Sequence, residues 1–249
     1  MSAHAQDPVE TARVSFATTH WSVVLSASER VSPEAAEALE KLCRAYWPPL
    51  YAFLRRQGQS AHDAKDIVQG FFERFLAKDY LREVSPDKGR FRSFLLASLR
   101  HYTANLRRDA RTERRGGLLI HLDIDEPGMI ARCEAALQTD HRPEVVFDRV
   151  WAETVMDTAA RQLRDDYFND GKAKHYETIR LWLASEPRPG EYAAVAQSLD
   201  MSEGAVAVAV HRLRQRFRQL IRAQVAHTVQ SPAEVEDEMR YLLEVLTAA

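Results

Sequence analysis

The sequence predicts an all-α protein: two helical domains joined by a flexible linker, then a C-terminal amphipathic helix. Three observations predict it. Apolar residues recur at helical spacing along nearly the whole chain, no run alternates with period two between hairpin turns, and the pattern fades from Gly116 to about Arg142. That stretch holds "GG", the acidic "DIDEPG" and "DHRP", and its length suits a tether or functional loop rather than core. The divisions expected are an extension over 1–30, a first domain over 31–115, the linker over 116–142, a second domain over 143–225 and a tail over 226–249.

Composition agrees with a folded chain. Of 249 residues, 45% are hydrophobic and 28% charged, enough apolar material to bury a core. The 34 basic residues nearly balance the 36 acidic ones, so the distribution of charge is more telling than the net value of −2. Cys43 and Cys133 stand far apart with no CxxC partner, which excludes a disulfide framework or zinc finger and suits a reducing cytoplasm. The opening "MSAHAQDPVE" lacks the basic-then-apolar order of a signal peptide, and no apolar run approaches a membrane span.

The first helix should start at Ser32-Pro33-Glu34, with serine as cap and proline at the first helical position. Leu39, Leu42, Tyr46, Leu50 and Leu54 follow at helical spacing, Pro48 and Pro49 should break or kink the run, and Gly58 should end it. Ser60 and Asp63 form a capping-box arrangement for a second helix bearing Ile67, Val68, Phe71, Phe72, Phe75 and Leu76. "SPDKG" at 85–89 is a turn cluster. Pro143 opens the second block, with Val146, Trp151, Val155, Ala159 and Leu163 on one side, and "SEPRPGE" at 185–191 interrupts it.

Two segments concentrate positive charge. Between Pro86 and Gly116 stand nine basic residues (Lys88, Arg90, Arg92, Arg100, Arg107, Arg108, Arg111, Arg114, Arg115) against three acidic ones. On a helix, Leu95, Leu96, Leu99, Tyr102 and Leu106 would point inward while Arg92, Arg100, Arg107 and Arg111 stay outward, a surface for phosphates. Phe91, Phe94, His101 and Tyr102 either add rings on which an unpaired base can stack or belong to the core behind a solvated arginine face.

The second segment runs from Tyr192 to Arg222. Ala193 to Leu199 form a short helix, "DMS" a tight connection and Ser202 a cap, with Val206, Val210, Leu213, Phe217 and Leu220 as the inward stripe of the next helix. This is the layout of a helix-turn-helix, whose second helix enters the major groove. No acid occurs between Glu203 and Glu234, while Arg212, Arg214, Arg216, Arg218 and Arg222 accumulate. Ala205, Ala207, Val208 and Ala209 hold its front, so Ser202, Glu203, His211 and Arg212 are the groups there able to read base edges.

These residues resemble those of the extracytoplasmic-function sigma factors, the small promoter-recognition subunits of bacterial RNA polymerase, over about residues 35–225. "DAKDIVQGF" resembles the family's acid-rich motif in sigma region two, which implies core-polymerase binding by Asp63, Asp66, Gln69 and Phe72. The basic helix is similar to the strand-opening, minus-ten-reading part. The resemblance assigns that role to Lys88, Arg90, Phe91, Arg92, Phe94, Arg100, His101, Asn105 and Arg108, although Phe94, His101 and Asn105 replace the family's tryptophan, asparagine and aspartate. "EGAVAVAVHR" resembles sigma region four, implying minus-thirty-five binding by Ser202, Glu203, His211, Arg212 and Arg216. The implied partners are RNA polymerase core and promoter DNA, with an anti-sigma factor, a regulatory kinase or the tail as the source of control. No cofactor is implied.

The rival reading is a stand-alone helix-turn-helix regulator whose first domain senses a ligand or partner. Enzymatic function has little to stand on: the nine histidines show no HExxH spacing, and Asp165/Asp166 and Asp123/Asp125 lack a neighbouring nucleophile or glycine-rich phosphate loop. In the tail, Ser231 and Glu234 suggest a capping box, with Val235, Met239, Leu242, Leu243 and Leu246 on one face. Five acids against one arginine between Glu234 and Glu244 suit basic helices, so the tail is expected to fold back on the protein, either as plain structural packing or to mask DNA-binding surface.

Overall fold

Pro33 begins α1 (Pro33–Arg56), as expected of a proline at a first helical position. In this computed structural model, which describes residues 33–76, 91–109, 128–138, 141–229 and 232–248, eight helices follow: α2 (Ala61–Leu76), α3 (Phe91–Asp109), α4 (Met129–Ala136), α5 (Pro143–Asn169), α6 (Ala173–Ile179), α7 (Glu191–Leu199), α8 (Glu203–Ala226) and α9 (Val235–Thr247). Short 3₁₀ turns at Arg180–Leu183 and Pro232–Glu234 complete the order, and no strand occurs among the described residues. The expected extension over 1–30 and the turn at 85–89 lie outside the described residues.

Pro48 and Pro49 do not break α1. A proline in a helix interior removes a backbone hydrogen bond at about 3 kcal/mol, but Tyr46, Trp47, Leu50, Tyr51, Phe53 and Leu54 around the pair are all buried. Packing on every side holds the helix where propensity would end it. The stop comes where expected, at Gly58 in the left-handed region (φ 88°).

Ser60 caps α2: its Oγ accepts from the Asp63 amide at 3.0 Å and donates to the Asp63 carboxylate at 2.7 Å. α1, α2 and α3 meet through aromatics, with Tyr46 edge-on to Phe91 at 4.9 Å and Phe75 against Phe91 and Phe94 at 6.4 and 6.1 Å.

The stretch expected to be a linker contains α4, which buries Met129, Cys133 and Ala136. Glu134 of α4 accepts from Tyr51 Oη at 2.7 Å and from Arg55 Nε and Nη2 at 2.9 Å each, which ties α4 to α1. The inward stripe of α5 is as expected, with Val146, Trp151, Val155, Ala159 and Leu163 buried. It meets α1 in the most extensive helix contact of the molecule, and one apolar core runs without interruption from α1 to α9.

α9 lies on α5 and α8, so the tail does fold back. Its inward face differs from expectation. Leu243 is 58% exposed, while the charged Glu238 is buried with Val235 and Leu242. Glu238 lies three residues after Val235 and four before Leu242, on the face an amphipathic helix buries.

Candidate nucleic-acid interface

Three helix faces carry the residues singled out in the sequence, and burial separates them. On α2, Asp63 and Asp66 are exposed, with Asp66 3.4 Å from His62 one turn earlier. Gln69 is half-buried and donates to Glu73 at 3.3 Å. Phe72 is buried 5.4 Å from the Phe71 ring, so it supports this face from within rather than forming it.

On α3 the inward stripe is broader than the leucines alone suggest. Phe91 and Phe94 are buried with Leu95 and Leu99, while Leu106, expected inward, is partly open. The two phenylalanine rings are consumed by contacts with Tyr46 and Phe75 and offer no open face for stacking in this state. His101 and Arg108 are exposed, and Asn105 is half-buried. His101 and Asn105 line a small cleft of about 30 Å³ with Phe71, Arg74, Phe75 and Tyr102, room for roughly one water. Lys88 and Arg90 lie outside the described residues.

Arg92 departs most from its expected outward position. It is 6% exposed, with Nη1 2.6 Å from Glu238 Oε1 and Nε 3.8 Å from Asp148 Oδ1. Its guanidinium carbon lies 3.9 Å from the Tyr241 ring centre and 4.9 Å from that of Trp151. Tyr241 Oη donates to Asp148 Oδ2 at 2.7 Å and closes the cage. Burial raises Asp148 above the usual carboxylate range, against the hydrogen bond from Tyr241 and the charge of Arg92. Burial, then the bond to Asp148, pushes the Tyr241 hydroxyl up to about 12. Removing one partner from a buried ion pair costs about 3 to 5 kcal/mol because the other charge stays enclosed.

Further along α3, Arg100 is half-exposed, paired with Glu144 of α5, and lies over the Phe53 ring at 5.5 Å. Both arginines therefore face the later helices. Amphipathic spacing within one helix could not reveal this, since the carboxylate partners lie 146 and 44 positions away.

α7 and α8 are the expected two helices joined by a tight turn, and they pack on each other. Gly190 (φ 86°) leads into α7, and Asp200 at φ 53° turns the chain out of it, with the Met201 amide donating to the Ala196 carbonyl at 2.9 Å. Ser202 then caps α8 by accepting from the Ala205 amide at 3.2 Å. Val206, Val210, Leu213 and Leu220 are buried and Phe217 half-buried, which orients Ser202, Glu203, His211, Arg212 and Arg216 outward.

The arginines of α8 divide by task. Arg214 Nε and Nη2 donate to the Trp182 and Ser185 carbonyls at 2.7 and 2.8 Å, and Nη1 pairs with Glu186 at 2.9 Å. It braces the turn before α7. Trp182 Nε1 and the Arg188 amide both donate to Glu191, at 3.2 and 2.8 Å, and hold the same turn from the α7 side. The two contacts, amide first, lower the Glu191 pKa below its usual value. Arg216 pairs with Asp166 of α5 at 2.8 Å, and Arg222 pairs with Glu236. Arg212 and Arg218 are exposed without a carboxylate partner among the described residues. The bracing role of Arg214 and the caging role of Asp148 and Tyr241 have no local sequence signal, since each depends on contacts distant in the chain.

Among the described residues, no group of three His, Cys, Asp or Glu side chains could hold a metal ion, and no helix is long and apolar enough to cross a membrane. Compared with protein-family models, curated proteins and solved structures, the chain matches none.

Proposed function

We propose that this chain is a sigma factor that directs bacterial RNA polymerase core to particular promoters in the cytoplasm. The helices α1 to α3 would bind core and the opened minus-ten strand, and α5 to α8 the minus-thirty-five duplex. The observation that carries this reading is the α7–α8 pair: an Asp200 turn, a Ser202 cap and an outer face where, among the described residues, no carboxylate engages Arg212 or Arg218. The exposed Asp63 and Asp66 on α2 supply a separate acidic face suited to a protein partner. The chain itself performs no chemistry in this role; the polymerase does, and control falls to an anti-sigma factor, a regulatory kinase or α9.

The test is run-off transcription on a genomic fragment library with sigma-free core, with and without the protein. Discrete new start sites are expected. Their absence, together with failure to co-purify with core from its own cells, would overturn the reading.

One observation favours a second reading, a stand-alone helix-turn-helix regulator. Phe91, Arg92 and Phe94 are buried, and α1 is joined to α5 along an extensive contact, so α8 presents the more open basic face. Such a protein would bind a duplex operator tightly without polymerase and lose nothing on Asp66→Arg or Gln69→Ala.

A further inference from the structure

The cage around Arg92 is assembled from two helices, α5 and α9, each contributing two of its four groups. Glu238 supplies the closest carboxylate and Tyr241 the closest ring, while α5 supplies Asp148 and Trp151. Arg92 itself lies in the first turn of α3, the helix assigned above to the opened strand.

We propose that α9 is an autoinhibitory strap: it holds the Arg92 guanidinium away from DNA phosphates, and its displacement from α5 and α8 returns that charge to solvent. The proposal rests on the sigma reading for its functional meaning. Three features support it. First, a buried arginine–glutamate pair is no better for stability than a well-packed apolar pair, so a cation at this position is not explained by the core alone. Second, α9 is separable. It is a 13-residue helix whose buried apolar side chains are Val235 and Leu242, with Met239, Tyr241, Val245 and Leu246 partly covered. Its pair with Arg222 joins two solvent-open side chains, and a short helix with few buried anchors opens without unfolding the rest. Third, the Glu238 carboxylate and a DNA phosphate are the same kind of ligand for a guanidinium, so helix and strand compete for one group.

The device acts on one surface and spares the other. Ser202, His211 and Arg212 remain exposed on α8 while α9 is in place. Duplex binding through α8 therefore proceeds in the strapped state, and α9 withholds only the contact to opened DNA.

The experiment uses the full chain with Glu238→Gln, which removes the charge at nearly constant volume. Hydrogen exchange reports on α9, and anisotropy of a fluorescent single-stranded oligonucleotide and a fluorescent duplex reports on binding. Exchange in α9 should accelerate and single-strand affinity should rise, each by about tenfold or more. The salt slope for the strand should steepen by about 0.7, one added phosphate contact. Duplex affinity should not change, and Arg92→Ala added to Glu238→Gln should abolish the gain. If Glu238→Gln unfolds the protein, Leu242→Ala loosens the same helix through its apolar anchor and applies the same readouts. Faster exchange in α9 with no gain in strand affinity, or a gain that survives Arg92→Ala, would overturn the strap. Co-purification with core separates the two ideas: the gain without core binding keeps the strap and removes the sigma reading, while core binding without the gain removes the strap alone.

Discussion

The Tyr102 hydroxyl of α3 stands 2.6 Å from where a Cβ on Gly70 of α2 would lie, with Tyr102 Cζ at 3.8 Å. Gly70 is thus the point on α2 where a side chain would have to displace the Tyr102 hydroxyl of α3. Glycine inside a helix costs about 1 kcal/mol relative to alanine, and here the close approach accounts for it.

Gly70→Ala should therefore destabilise the protein by about 1 kcal/mol, because overpacking of about 1 to 3 kcal/mol exceeds the gain in helix propensity. In a Tyr102→Phe background the hydroxyl is gone and the nearest ring carbon sits at ordinary contact distance. There the same substitution should stabilise by up to about 1 kcal/mol. Urea denaturation midpoints of the four proteins give the answer, and the same sign in both backgrounds would refute the contact.

Glu134 links α4 to α1 in a pH-dependent way. Its pKa is lowered from the usual 4.5, first by the hydrogen bonds from Arg55 and then, against the opposing effect of burial, by that from Tyr51. Burial and the same bond push the Tyr51 hydroxyl up to about 12. A carboxyl with a lowered folded-state pKa stabilises fully above its unfolded value, and that contribution disappears as pH falls through the folded value. The link should thus be intact above pH 4.5 and weaken below it. With 35% of the Glu134 side chain open to solvent, screening keeps the effect below about 1 kcal/mol. Protection factors of the α4 amides, which already account for slower intrinsic exchange in acid, should fall on acidification of the native protein, and Glu134→Gln should flatten that step.

The two thiols should be inert in the folded protein. Cys43 and Cys133 are both buried and form no disulfide, and burial pushes the Cys133 thiol up to about 12, leaving almost no thiolate near neutrality. Ellman's reagent should therefore titrate no thiol in the native state at pH 8 and both after denaturation in guanidinium. Rapid native labelling of Cys133 would contradict the placement of α4 on α1.

Element starts were legible because they depend on local chemistry. Pro33 and Pro143 stand at first helical positions, Ser60 and Ser202 act as caps, and Gly58 stops α1, each within four residues of the group it satisfies. The failures all involve partners far along the chain. Pro48 and Pro49 remain helical because residues 46–54 of α1 are buried on all sides. Arg92 reads as a solvated cation on α3, and Glu238 as one acid among several on α9; only the return of α9 to the Trp151 surface makes them a pair. The α7–α8 pair was legible for the opposite reason, since α7, its turn and α8 are contiguous. The division of the α8 arginines between bracing and open roles was not, because Arg214 reaches carbonyls 29 and 32 positions earlier.

That division yields the last prediction. Among the described residues no carboxylate pairs with the exposed Arg212 and Arg218, Arg216 is shared with Asp166, and Arg214 is committed to the Trp182 turn. Under the proposed function, Arg212→Ala and Arg218→Ala should each weaken duplex binding and reduce the salt slope by about 1, the signature of one lost phosphate contact. Their thermal midpoints should hardly move, because exposed side chains away from networks change stability by less than about 0.5 kcal/mol. Arg214→Ala should do the reverse, lowering stability by about 1 to 3 kcal/mol through the orphaned carbonyls and leaving the salt slope unchanged. Arg216→Ala should fall between the two. The pair with Asp166 joins side chains that are both well open to solvent, so its loss costs little stability, and DNA must displace Asp166 to use Arg216, so the effect on affinity is smaller than that of Arg212. Fluorescence anisotropy across a salt series, paired with thermal denaturation of the same four variants, separates these outcomes. A salt slope that responds to Arg214 and not to Arg212 would place the DNA-binding face on the opposite side of α8.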